Sequence, residues 1–208
     1  MFASLCACGE ENKTEATDAP TVATMATEEV YIPTAFDFGK TYNTSYINRT
    51  LGIGLSLHEE WKLSTTAELA KRNGLDEALM VKDLPAAMGD KETACILSAT
   101  GDEDSAVEIF VENISLTVGS DLTGEEYFEA KHDAIHEELE KIGAENVMMA
   151  PTSATIAHNA HDAIVIGYYI GEDPYLQYRI AFPEGDYMGK MVIKGEDDPI
   201  LARIYSLN

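Results

Sequence analysis

Hydrophobic residues recur at three- and four-residue steps between Thr123 and Gly143, and this spacing predicts an amphipathic helix in mid-chain. The residues on the predicted inner side are Phe128, Lys131, Ile135, Leu139 and Ile142. Thr123 and Glu126 have the spacing of a capping box, and Gly143 supplies the left-handed residue that ends the helix. A helix with one apolar side needs an apolar surface to cover, so we expect it to pack against a β-sheet.

Alternating hydrophobic and polar positions predict β-strands on both sides of this helix. Before it, residues 92–100 and 105–114 form a predicted hairpin whose second arm alternates apolar and charged side chains. Four more strands are predicted after it, at 147–157, 161–170, 175–182 and 187–194. Because the turns between them are short, neighbouring strands are expected to pair antiparallel.

The N-terminal part of the folded region gives weaker patterns. Residues 41–48 and 51–57 are predicted strands, and Trp61, the only tryptophan, is predicted to anchor the core. The leucines and isoleucine of the second strand, Leu51, Ile53, Leu55 and Leu57, share one face. A short helix is predicted from 64 to 72, with Asn73 and Gly74 ending it.

Two further segments, one before the hairpin and one at 200–207, are also compatible with helices. Residues 76–88 are predicted to be helical or irregular, although Leu79, Met80 and Val81 are equally compatible with a buried strand. Residues 200–207 are predicted to form a terminal helix, because an acidic stretch and a proline precede apolar residues at helical spacing.

Composition restricts the function. The chain has 208 residues, 45% of them hydrophobic, which suits one domain with a real core and a tail. Its 14 Lys+Arg against 37 Asp+Glu give a net charge of −23, which argues against nucleic-acid binding and favours cationic partners. The three cysteines do not suggest a disulfide framework, and Cys95 is predicted to be a small buried hydrophobic residue.

The first eight residues, MFASLCAC, are similar to the end of a bacterial lipoprotein signal, in which small residues precede a cysteine that receives the lipid. That cysteine would be Cys8. A basic region and a full apolar run are missing, so either the true start lies upstream of Met1 or the beginning has been trimmed. Residues 9–39 are interpreted as an acidic Thr/Ala/Glu tether and lead-in. The resemblance implies anchoring to the outer face of a bacterial cell membrane.

The order of elements from 40 to 208 resembles the PsbP-like proteins. The residues that carry the resemblance are the Tyr42-Asn43 strand, the LGIGLSL strand closed by Trp61, the hairpin ending at Glu112-Asn113, and the TGEEY segment 123–127 that opens the long helix. The resemblance implies an α+β domain with a central antiparallel sheet flanked by helices in an α/β/α sandwich. It supplies no common catalytic residues.

Candidate chemistry is sparse. His132 and His136, four residues apart on one helix, could hold a metal ion if His158 and His161 converged on them, but two boundary histidines and an ordinary turn explain the four better. The acidic turns 101–104 and 195–198 lack EF-hand spacing. The sequence has no nucleophile motif and no phosphate loop. Gly52 and Gly54 do not form such a loop, because they lie within a predicted strand. No catalytic residue and no cofactor are predicted.

The sequence therefore predicts a lipid-anchored, extracytoplasmic binding or protein-interaction domain without catalysis. Its partner would be an unknown envelope protein or a small ligand. The alternative is a metal- or solute-binding lipoprotein that delivers cargo to a membrane transporter, with the four histidines as ligands. Four tyrosines are candidates for a binding surface if they gather on one side of the sheet: Tyr168, Tyr169, Tyr175 and Tyr187.

Overall fold

The fold is known from a computed structural model that describes residues 36–101, 105–156, 158–195 and 203–207. Its helices are α1 Thr66–Asn73, α2 Glu77–Lys82, α3 Leu84–Met88 and α4 Gly124–Lys141, with a short 3-10 helix at Ile114–Leu116. Its strands are β1 Lys40–Tyr42, β2 Ser45–Asn48, β3 Ile53–Ser56, β4 Lys62–Leu63, β5 Thr93–Thr100, β6 Ala106–Asn113, β7 Ala144–Ile156, β8 Asn159–Ile170, β9 Asp173–Glu184, β10 Tyr187–Lys194 and β11 Ile204–Ser206.

The strands form two antiparallel sheets. The larger has seven strands in the order β4-β5-β6-β10-β9-β8-β7, and the smaller has four in the order β1-β2-β3-β11. The predicted hairpin and the predicted four-strand meander are both confirmed. The meander returns to the hairpin through β10, which pairs with β6 along eight residues. The chain is thus α+β with antiparallel strands, as the sequence predicted.

Helix α4 begins and packs as its sequence pattern predicts. The Thr123 side chain accepts a hydrogen bond from the Glu126 amide, and the Glu126 carboxylate accepts one from the Thr123 amide. Gly143, just past the end, has a φ of 83°. The buried face of α4 covers β7, β8 and β9. Ile142 is the exception to the predicted inner stripe, because 56% of its surface is exposed.

The seven-stranded sheet has apolar residues on both faces, because adjacent residues of a strand point to opposite sides. Ile180 belongs to the core that includes the four-stranded sheet and residues of α1, α2 and α3, whereas Ala181 belongs to the core under α4. The layer opposite α4 is therefore built from a second sheet as well as helices. The predicted inner face of residues 51–57 is confirmed, because all four side chains are buried there.

Helix α1 protects the open edge of β5. Its last residue, Asn73, donates from its side-chain amide to the Cys95 carbonyl (2.7 Å) and accepts from the Cys95 amide (2.9 Å). These two bonds replace those of a neighbouring strand, because β4 pairs only with the far end of β5. Thr65 and Gly74 cap α1 as predicted. Leu79, Met80 and Val81 lie in a helix, so the strand interpretation of this segment is wrong.

Two predicted elements are wrong. Residues 41–48 are not one strand, because Asn43 adopts a positive φ of 52° and the chain turns there between β1 and β2. Residues 204–206 do not belong to a helix, because they form β11 and pair with β3. The apolar spacing there was compatible with a helix, but Ile204 is buried by pairing with a strand distant in sequence, which local spacing does not reveal. Trp61 is only half-buried, at the rim of the core.

Cys8, the tether as far as residue 35 and most of both acidic turns lie outside the described residues. The described residues all fall within the unit Pro33–Asn208. Among them, no helix combines the length and apolar character required to cross a membrane.

Candidate functional site

Helix α4 has two long borders, and the side chains along them differ in charge. Toward the edge strand β7 it presents Glu125, Glu129 and His132. Toward β9, β10 and β6 it presents Tyr127, Lys131 and Glu138, which bond to side chains on the sheet. Residues three and four apart lie on one side of a helix, so each set forms a continuous row.

The first border opens into a cavity of about 640 Å³ between α4 and the β7–β8 hairpin. We call it the acidic groove. Its inner surface is apolar, from Phe128, Met149, Pro151 and Ile164. Its rim consists of the carboxylates Glu125, Glu129 and Asp162, with His132 and Ser153 beside them. The groove therefore combines an apolar floor with a rim of negative charge.

Asp162 fixes the start of α4 against the sheet. Its Oδ2 accepts a hydrogen bond of 3.2 Å from the Glu125 amide, one of the free amides of the first helical turn. Gly124 permits this close approach, because a Cβ at that position would lie 2.6 Å from the Asp162 Cβ and 2.8 Å from the Ala181 Cβ. The position of one wall of the acidic groove thus depends on a residue without a side chain.

The second border is organised around a buried carboxylate, Glu112 on β6. It accepts hydrogen bonds from the hydroxyls of Tyr127 (2.7 Å) and Thr117 (3.1 Å) and pairs with the Lys131 ammonium. Burial acts to raise the pKa of Glu112, but the bonds from Lys131 and Tyr127 outweigh it, so the pKa lies below the ordinary value of 4.5. Glu112 is thereby held as an anion inside the protein.

Arg179 on β9 is the largest fully buried side chain. Its guanidinium donates two hydrogen bonds of 3.1 Å to the Glu138 carboxylate and one of 2.7 Å from Nε to Gln177. Burial acts to raise the pKa of Glu138, but attraction to Arg179 and its hydrogen bonds, together with the charges of Lys190 and Lys194, outweigh burial, so the pKa lies below its ordinary value. This bidentate salt bridge between Arg179 and Glu138 joins α4 to the middle of the sheet.

Lys190 on β10 lies beside the Phe110 ring, whose centre is 5.4 Å from its ammonium, and the charges of Glu112 and Glu138 act on it from farther away. Burial and then the nearby Arg179 lower the pKa of Lys190, although Glu112 and Glu138 act to raise it. No carboxylate of the described residues lies within ion-pair distance of its ammonium. Arg72 contacts the same ring from α1, at 5.6 Å, and pairs with Glu108 at 2.7 Å.

The four candidate histidines do not form a metal site among the described residues, where no group of three metal-binding side chains occurs. His132 and His136 are both paired with acidic residues of α4, namely Asp133 and Glu140. His158 lies in a turn with a φ of 75°, and His161 packs against the Phe182 ring at 4.7 Å. The pKa of His161 is lowered by burial, with Asp162 opposing the shift.

The four tyrosines do not gather on one face. Tyr168 and Tyr175 stack at 5.5 Å on the α4 side of the sheet, whereas Tyr169 points to the other face and Tyr187 packs against Phe36. The prediction that Cys95 is buried is confirmed, and its pKa is raised to about 12, chiefly by burial.

Sequence reasoning missed the charged residues beneath α4. Glu112 alternates with the apolar residues of β6, which indicated a wet face there, whereas Arg179 and Lys190 lie on faces of β9 and β10 that also carry apolar residues. One signal in the sequence was available. Lys131, within the predicted inner stripe of α4, indicated that a carboxylate faced it.

No family model matches the chain, and no curated protein matches it.

Proposed function

We propose that this chain is a non-catalytic binding domain, held at the outer face of a bacterial cell membrane by a lipid on Cys8. The lipobox-like LCAC sequence and the polar residues that follow it support the anchor. Because a single acyl chain binds membranes only weakly, such anchors carry more than one chain or a second attachment. The PsbP-like relationship is part of the same proposal, and the antiparallel α+β fold with α4 over the meander supports it.

The acidic groove is the observation that carries the binding role. Its volume of about 640 Å³ is within the range of ligand-binding clefts. Its rim holds three carboxylates with no lysine or arginine among the lining residues, and the whole chain has a net charge of −23. A partner that complements this surface is positively charged and carries an apolar side chain for the floor.

We commit to one occupant, a basic extended segment of another envelope protein. β7 is the terminal strand of the seven-stranded sheet, so an extended segment can lie alongside it. Pro151 has no amide hydrogen, and it interrupts the ladder that β7 could offer. Recognition therefore depends on arginine or lysine at the rim and on an aliphatic side chain against Phe128 and Met149.

Calorimetric titration with a ten-residue peptide of alternating arginine and leucine tests this function. A peptide of alternating glutamate and leucine serves as the opposite-charge control. The Glu125→Gln/Glu129→Gln variant removes two rim charges, whereas Glu137→Gln/Glu140→Gln removes two exposed charges elsewhere on α4. We expect the first variant to weaken binding by about tenfold, which corresponds to about 1.4 kcal/mol, and the second to have little effect.

Three results would contradict the groove as the binding site. They are absence of binding, equal binding of both peptides, and equal losses in the two variants. The last result would mean that only the overall negative charge attracts the peptide.

The anchor is tested separately, by mass spectrometry of the native product and by fractionation of a Cys8→Ser variant. We expect a lipid on Cys8 and release of the variant from the membrane fraction, with Cys6→Ser as the matched control. An unmodified Cys8 in the native protein would remove the proposed location without affecting the groove.

A further inference from the structure

Five cationic side chains converge on the sheet surface between α1 and α4. They are Arg72, Lys131, Arg179, Lys190 and Lys194, from four different elements, and together we call them the basic cluster. They represent five of only 14 Lys+Arg in a chain with 37 acidic residues. Such a concentration is unexpected for a surface that merely keeps an acidic protein soluble.

The carboxylates bonded to the basic cluster are too few to neutralise it. Glu108 pairs with Arg72 at 2.7 Å and with Lys194 at 3.8 Å, Glu112 pairs with Lys131, and Glu138 pairs with Arg179. These three carboxylates thus face five cations. The charged groups that act most on Lys190 are Glu112, Glu138, Arg179 and Lys131, two of each sign. Two of these groups oppose the charge of Lys190 and two favour it, and neither carboxylate lies within ion-pair distance of its ammonium.

A purely structural role accounts poorly for Lys190. Its neighbours on the same face of β10, Met188 and Val192, are buried apolar residues, and an apolar residue at 190 would extend that surface. A half-buried cation beside a buried guanidinium is costly unless an anion accompanies it. Within the described residues, no carboxylate lies at ion-pair distance from the Lys190 ammonium.

Lys190 is half-buried, so part of its side chain remains accessible beside α4. Ala134 lies on α4 between Lys131 and Glu138, one turn from each, and it is exposed to solvent. Its side chain is a single methyl group, so α4 does not close over β10 as it closes over β7, β8 and β9. The ring of Phe110, also half-buried, forms an apolar surface beside the ammonium.

We infer that the basic cluster is a binding site for a small oxyanion, with Lys190 as the main ligand and Phe110 as the apolar contact. The site takes the carboxylate of a small organic acid or a phosphate group, because either places oxygen atoms against the ammonium. Arg179 already uses its guanidinium for Glu138 and Gln177, so its role is to add positive potential rather than a direct contact. The site is independent of the acidic groove on the other border of α4.

Amide chemical shifts of the ¹⁵N-labelled full chain, titrated with sodium benzoate and separately with inorganic phosphate, test this inference. We expect saturable shifts at Phe110, Ala134 and Lys190. In Lys190→Met the affinity should fall at least about tenfold, whereas Lys62→Met, on the exposed strand β4, should bind as the parent does. Lys190→Met should also keep the parent spectrum elsewhere and unfold at no lower temperature, because it removes an unpaired charge.

The two titrations separate the sources of the oxyanion. Tighter Lys190-dependent binding of benzoate identifies an organic carboxylate, and tighter Lys190-dependent binding of phosphate identifies a phosphate group. Either result supports the site. Absence of saturable shifts at these residues with both probes, or shifts of equal affinity in Lys190→Met, would overturn it.

Discussion

The Tyr127→Phe substitution examines the buried network that fixes α4 to the sheet. It removes one hydroxyl, which donates a hydrogen bond of 2.7 Å to Glu112, and it keeps the ring that contacts Phe128 at 5.3 Å. Tyr127 is 1% exposed, so water does not replace the lost donor without rearrangement. The variant therefore isolates a single bond to a buried anion.

The expected loss in the free energy of unfolding depends on the hydrogen-bond partners that Glu112 keeps. A hydrogen bond to a charged group contributes about 1.5–3 kcal/mol, and Glu112 keeps its bonds to Thr117 and Lys131. We therefore expect the free energy of unfolding to fall by about 1.5 kcal/mol, the lower end of this range. For a domain of this size that corresponds to a fall of about 3–6 °C in the melting temperature.

Urea unfolding of the full chain measures this difference. The matched control is Tyr42→Phe, which removes a hydroxyl from a ring that is 56% exposed and should change stability by less than about 0.5 kcal/mol. Equal unfolding midpoints for Tyr127→Phe and the parent, with equal slopes, would refute the network as described.

The pH dependence gives a second check. The pKa of Glu112 in the folded chain lies below its ordinary value of 4.5. The stabilisation of the folded chain by the ionised Glu112 is therefore fully present above that ordinary value. The contribution is lost as the pH falls through the lowered pKa of the folded state. The difference in the free energy of unfolding between Tyr127→Phe and the parent should therefore become smaller at acidic pH. A difference in the free energy of unfolding that stays constant as the pH is lowered as far as both proteins remain folded would show that Glu112 is not the acceptor.

Three further predictions concern the scaffold. Gly124→Ala should destabilise the chain by about 1–3 kcal/mol, as measured by urea unfolding, because its Cβ would overlap Asp162 and Ala181; unchanged stability would mean that α4 lies farther from the sheet. Asn73→Ala should cost about 2 kcal/mol and speed amide exchange at Cys95, since both backbone groups of Cys95 lose their partner; unaltered exchange would contradict this edge protection. Cys95 should resist thiol reagents at pH 8 until the chain unfolds, because burial raises its pKa to about 12, and peptide mapping that finds rapid modification in the folded chain would contradict its burial.

Local patterns predicted the elements that depend on local interactions. The capping box at Thr123, the left-handed Gly143 and the short turns of the meander involve residues close in sequence, and all are confirmed. The end of the chain was predicted wrongly, because the pairing of Ile204 with Leu55 joins residues that are far apart in sequence.

The charged surface beneath α4 was missed for a related reason. Lys190 shares its face of β10 with the apolar Met188 and Val192, and the strand pattern does not show what covers that face. Lys190 becomes notable only when β6, β9 and α4 surround it. The acidic groove likewise depends on how far α4 lies from β7, and that distance is set by the contact between Gly124 and β8.

The most direct measurement of the binding role is a map of amide shift changes in the full chain on titration with the arginine–leucine peptide. The account predicts saturable changes confined to the two walls of the acidic groove, residues 125–132 of α4 and 149–153 of β7. Changes spread evenly over acidic surfaces, or centred on another part of the domain, would contradict it.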